Sequence, residues 1–86
     1  MIEVIFSNSF LRKVKKLGNE LQVEVVETVG LLKNKKNHPK LKVHKLHGKF
    51  SDYISCRVNY EFRIVYRYLS KNTIILEDVG NHSVYK

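Results

Sequence analysis

Four short stretches carry side chains that could do chemistry. His44-Lys45-Leu46-His47-Gly48-Lys49 sets two histidines three residues apart among lysines. Arg57 and Arg63 flank the carboxylate of Glu61, and Tyr53 stands just before them. Near the end, Gly80-Asn81-His82-Ser83-Val84-Tyr85 places a histidine and a tyrosine behind a glycine. A histidine titrates near ~6.5 and so exchanges a proton at neutral pH. Arginines grip a phosphate through forked, charge-assisted hydrogen bonds. Aromatic rings stack on bases. Together these groups suit the attack of an RNA 2′-hydroxyl on the adjacent phosphate: a base removes the proton, cations hold the phosphorane, and an acid protonates the leaving 5′-oxygen. The substrate supplies the nucleophile, so no catalytic Ser or Cys is needed.

Each stretch also has a plainer reading. The histidine pair could bind a metal, but no cysteine or acid nearby completes a ligand set, so neither metal nor cofactor is expected. Arg57 and Arg63 could form a structural ion pair with Glu61. His82 and Tyr85 could be ordinary surface residues. No phosphate-cradling glycine loop, zinc-finger spacing or GxSxG is present.

Charge points the same way as the site. Sixteen Lys and Arg against eight Asp and Glu give +8. From Thr28 to Ser51 there is no acid, while Lys33, Lys35, Lys36, Lys40, Lys42, Lys45 and Lys49 fall there. Such a block attracts a polyanion by counterion release, so nucleic acid or an acidic protein is the expected partner. Cys56 is the single cysteine, excluding an internal disulfide, and strand-like neighbours suggest a small buried hydrophobe. Met1 to Phe6 is too short and lacks the basic start of a secretory leader, and no apolar run approaches the ~20 residues of a membrane span. A cytoplasmic protein with no membrane partner is expected, and 86 residues predict one domain, 1–86.

The elements that must position these residues follow from periodicity. Met1–Phe6 reads as a strand. Ser7, Asn8 or Ser9 can cap a helix whose apolar residues Phe10, Val14 and Leu17 recur at helical spacing. Gly18 is expected to end it in the left-handed conformation, and Asn19 to cap a second helix running to about Lys35. In that helix Leu21, Val25, Val29 and Leu32 make the apolar stripe, and Pro39 follows its end. The two helices form an antiparallel hairpin. Lys40–Lys49 reads as a basic connector. Three strands follow: Asp52–Val58, Phe62–Leu69 and Thr73–Val79, with turns at Asn59–Glu61 and Ser70–Asn72. Tyr53, Ser55 and Arg57 should share one face, and Ile54, Cys56 and Val58 the other. The fold class is α+β, in the order β-α-α-β-β-β, with a mostly antiparallel three-strand meander.

In that order His44-Lys-Leu-His-Gly48, Tyr53, Arg57-Val, Phe62-Arg-Ile-Val-Tyr66, Asp78-Val-Gly-Asn-His82 and Tyr85 resemble the RelE/ParE superfamily of type II toxin–antitoxin toxins, over nearly the whole chain. Members of the RelE and YafQ type cleave mRNA in the ribosomal A site. The resemblance implies Arg63 as the transition-state arginine and Arg57 as the basic residue preceding it. It implies His82 as the YafQ-like catalytic histidine, His44 as a second histidine, Glu61 as an acid that some members use, and Tyr85 as the stacking aromatic. Ile54 and Cys56 stand where RelE carries lysines, which favours histidine acid–base work. The expected function is a ribosome-dependent, metal-independent mRNA endonuclease with a cognate antitoxin. Lys45, His47 and Lys49 would contact the RNA backbone, and Tyr53 and Tyr85 would stack. Two alternatives stand: a ParE-like toxin that inhibits DNA gyrase without cutting, and an inactive RNA- or antitoxin-binding module.

Overall fold

Ser7, of the three candidates, caps the first helix. Its Oγ accepts from the Phe10 amide at 3.0 Å, satisfying one of the donors that every helix start leaves open. The computed structural model describes residues 1–81. After β1 (Glu3–Phe6), α1 spans Asn8–Lys15 and α2 spans Asn19–Leu32. Phe10 is buried, with Val14 and Leu17 packed against the core beside it.

Gly18 does not play its expected part. Its φ of −66° and ψ of 158° are extended backbone, and it is the N-cap of α2 rather than the end of α1. The joint is so short that one residue must begin the second helix as the first finishes. Asn19 therefore lies inside α2, and no side chain caps that helix. Its buried face is Val25, Thr28, Val29 and Leu32. Thr28 joins because its hydroxyl donates to the Glu24 carbonyl at 2.8 Å, so its burial strands no donor. The helix ends at Leu32, before the expected Lys35. There Asn34 caps a 3₁₀ turn at Lys35–Asn37, accepting from the Lys36 amide at 3.1 Å.

Five strands make one mixed sheet in the order β1-β5-β4-β3-β2. The meander is β3 (Ile54–Arg57), β4 (Phe62–Ser70) and β5 (Thr73–Asn81), all antiparallel. β1 joins β5 in parallel, with Glu3 opposite Thr73 and Phe6 opposite Leu76. The connector is not wholly irregular, because His44–Lys45 forms a short strand, β2, against β3. Ile54, Cys56, Ile64, Tyr66, Ile74, Leu76 and Val79 form the core with Phe10 and the buried face of α2. Alternation sends Ser55, Arg57, Arg63, Val65 and Arg67 to the other face. That face is not bare: Ser55, Arg63 and Val65 are buried as well. β4 outruns β3, whose pairing stops at Ile54 opposite Tyr66, leaving the β4 edge from Arg67 onward uncovered by that strand.

Candidate functional site

The turn between β3 and β4 is built by Asn59. Its Oδ1 accepts from the amides of Glu61 (2.9 Å) and Phe62 (2.8 Å), and its Nδ2 donates to Glu24 Oε2 at 2.7 Å, tying the turn to α2. The Asn59 carbonyl in turn accepts from Arg63 Nη1 at 2.8 Å, and the Phe62 carbonyl accepts from the same nitrogen at 3.2 Å. Arg63 is 7% exposed, so its guanidinium is held in a fixed direction. The carbonyl partners of Nη1 fix the group but leave its charge uncancelled.

Arg57 is the direct cross-strand partner of Arg63. Residues so paired have Cα atoms about 5 Å apart, and like charges there repel. Arg57 is half-buried, and its Nε is buried with no hydrogen-bond partner. An orphaned buried donor on one arginine and an uncancelled charge on its cross-strand neighbour suit an anion. The structural ion pair with Glu61 that the sequence left open does not form. The ion pairs among the described residues are Lys13–Asp78 and Arg67–Glu77. Glu61 is exposed, with its backbone fixed by Asn59.

His44 is oriented from two sides. Its Nδ1 lies 2.9 Å from the Lys42 carbonyl, which can only accept, so Nδ1 carries the proton. Nε2 is then the acceptor of the neutral ring, 3.3 Å from the Oγ of buried Ser55, its cross-strand partner. Lys42 reaches this position with φ of 55°, a left-handed conformation uncommon for a side-chain-bearing residue. The row His44–Ser55–Val65 runs beside the row Arg57–Arg63 on the same face, two residues along each strand, roughly 7 Å. The sheet thus brings His44, Arg57 and Arg63 to one region, with Glu61 in the adjoining turn.

Other expected residues lie elsewhere. Lys45 and Tyr53 line a groove at the far end of β3, together with Ser51, Asp52, Ile54, Arg67 and Tyr68. His47 and Lys49 are exposed around the 3₁₀ turn at Gly48–Phe50. His82 and Tyr85 lie outside the described residues. The sequence reading missed Ser55 and Lys42, which orient His44, and Asn59, which organises the hairpin. Only Asn59 carried a local signal, being an Asx-turn residue at the start of a tight turn.

Burial pushes the Cys56 thiol up to about 12, against smaller opposing effects of a hydrogen bond with the Ile64 backbone and of the Arg63 charge. A thiol held neutral is no nucleophile, matching the expected small buried hydrophobe. Burial likewise raises the Tyr66 phenol. Among the described residues no group of three His, Cys, Asp or Glu side chains is placed to hold a metal. No described helix is long and apolar enough to cross a membrane.

A protein-family profile described as the bacterial toxin of type II toxin–antitoxin system, YafQ, matches residues 2–85. Solved structures share the fold. The toxin–antitoxin complex RelBE2 of Mycobacterium tuberculosis contains a chain with TM-score 0.75 and 20% identity, the match covering 94% of this chain and 98% of that one. The Escherichia coli DinJ–YafQ complex gives TM-score 0.74 and 18% identity, covering both chains fully (100% and 100%). The RelE–RelB complex of Pyrococcus horikoshii gives 0.74 and 16%, covering 96% and 97%. No curated protein sequence is similar enough to count as a match.

Proposed function

This chain belongs to the YafQ family of bacterial toxins of type II toxin–antitoxin systems, and on that footing we propose that it is a ribosome-dependent mRNA endonuclease of the cytoplasm. The substrate's 2′-oxygen attacks the adjacent phosphorus while the bond from phosphorus to the 5′-oxygen breaks. The 2′-proton goes to a general base and the 5′-oxygen receives a proton from a general acid. The products are a 2′,3′-cyclic phosphate and a free 5′-hydroxyl, and no metal enters. Arg57 and Arg63 hold the charge of the phosphorane. His44 or Glu61 is the base. His82 is the acid, carried over from the family pattern at Asp78-Val-Gly-Asn-His82. Lys45, His47 and Lys49 steer the RNA backbone, and Tyr53 and Tyr85 stack on bases.

The observation that carries this reading is the opposition of Arg57 and Arg63, with uncancelled charge, on the face that also bears His44. The RelBE2 structure named above is of a toxin–antitoxin complex and the other two are of two-protein complexes, and a cognate antitoxin that covers the basic face is the proposed partner here. The test is cleavage of mRNA on translating ribosomes. The parent should cut, and His82→Ala and Arg63→Ala should cut far more slowly. Cutting at the parent's rate by both variants would refute the mechanism. A parent that cuts nothing but blocks gyrase supercoiling would refute the function.

A further inference from the structure

The groove at the far end of β3 has no role in the bond-breaking step. It opens where the pairing of β3 with β4 stops at Ile54 opposite Tyr66, and Asp52, Tyr53, Arg67 and Tyr68 line it. Its volume is about 540 Å³, the size of a small-molecule site. Two phenols, Tyr53 and Tyr68, line it, and Tyr68 is 37% exposed. Its two cations differ. Arg67 Nε donates to Glu77 Oε2 at 2.8 Å, so that charge is already matched. Lys45 is exposed and makes no ion pair among the described residues. One carboxylate, Asp52, lies close enough to Arg67 to favour its charged form, behind the larger effects of Glu77. Ser51 adds a hydroxyl.

A cation for phosphate, rings for a base and a carboxylate for base-edge donors are the three parts of a nucleotide site. We propose that this groove is a base-reading subsite for the same RNA strand, with guanine as its preferred base. The proposal rests on the RNA-cutting reading above. Lys45 meets a backbone phosphate, and the base lies against Tyr68 and Tyr53. The two oxygens of Asp52 accept from the paired donors on guanine's Watson–Crick edge. Adenine and cytosine offer that edge one amino group and uracil one ring N–H, so each leaves a carboxylate oxygen unmatched. Arg63 and Arg67 lie on the same face of β4, four residues or roughly 13 Å apart, a span that a few extended nucleotides cross. That face joins the proposed cleavage point to the Arg67 side of the groove, and Tyr68, against Tyr66, reaches the groove from the other face of β4.

The experiment needs no cleavage. Isolated protein is titrated with 2′-O-methylated tetranucleotides, one all uridine and others with a single guanine, and followed by amide chemical shifts. The expected result is that Asp52, Tyr53, Arg67 and Tyr68 shift and that a guanine probe binds roughly tenfold tighter than all-uridine. Asp52→Asn, a conservative change at an exposed position, should erase that preference, so that guanine and all-uridine probes bind the variant equally. Tyr68→Ala should weaken both probes about tenfold. Shifts confined to the Arg57–Arg63 hairpin, or a groove that responds only to an antitoxin peptide, would overturn the subsite without touching the endonuclease reading. Guanine-dependent shifts from a protein that cuts no mRNA would uphold the subsite and remove the endonuclease.

Discussion

Arg63 and Arg67 stand on one face of one strand, four residues apart, yet they are held in opposite ways. Arg63 is buried and donates to the carbonyls of Asn59 and Phe62. Arg67 is more open to water and donates to the carboxylate of Glu77. Carbonyls fix a guanidinium without neutralising it, whereas a carboxylate does both. The cation whose charge is left unspent is the one opposite Arg57, where a second guanidinium donor is also unsatisfied. The mode of hydrogen bonding, more than the residue type, separates a candidate phosphate clamp from a surface ion pair.

Replacing Arg63 is the strongest way to break this contrast. Arg63→Ala should lower cleavage on ribosomes by roughly 10²–10³-fold, the usual cost of removing a preorganised charge-stabilising donor. It also strands two turn carbonyls, at about 1–3 kcal/mol, so denaturant unfolding should be measured on the same sample. Arg63→Lys should not restore the rate, because an ammonium lacks the fork.

Arg57→Gln should move rate and stability in opposite directions. Cleavage should fall, while thermal stability in anion-free buffer should rise by a few tenths of a kcal/mol as the like-charge pair is relieved. Inorganic phosphate should stabilise the parent more than the variant in thermal melts. Equal stabilisation would mean that no anion sits between the two arginines.

The reach of the Arg63 charge can be read at Cys56, whose thiol it pulls down against burial. The folded thiol sits at about 12 against an ordinary 9.0. Its raised value favours folding below pH 9.0, and that stability is lost as pH climbs from 9.0 toward about 12, at roughly 1.4 kcal/mol per pH unit. Cys56→Val should flatten that part of the alkaline unfolding curve relative to the parent. Native Cys56, fully buried, should resist iodoacetamide at pH 8. The smallest effect belongs to the ion pair itself. A double-mutant cycle on Arg67 and Glu77 should give about 0–1 kcal/mol, decreasing with salt.

Much of the scaffold was legible. Phe10, Val14 and Leu17 marked α1, and the alternation in Phe62-Arg-Ile-Val-Tyr66 marked a strand with apolar residues on the helix side. The tight turn at Asn59–Glu61 was readable because its length and its asparagine are local facts. Gly18 misled, since a glycine between two helices signals a break without saying which helix it serves. β2 was hidden because two residues in a lysine-rich stretch show no alternation. Glu61 looked like the natural partner of two nearby arginines, but a hairpin turn aims its carboxylate outward and the turn carbonyls reach Arg63 first.

The sequence by itself determined the helices, the meander, the positive charge and the residue types available for phosphate and proton chemistry. These depend on side-chain period and composition, which chain order alone fixes. Only the tertiary structure decided that Arg57 faces Arg63, that Ser55 and the Lys42 carbonyl orient His44, and that β3 leaves β4 early enough to open a groove at Tyr53 and Arg67. Those outcomes depend on pairing register between strands, and a shift of one residue would send every one of these side chains to the opposite face.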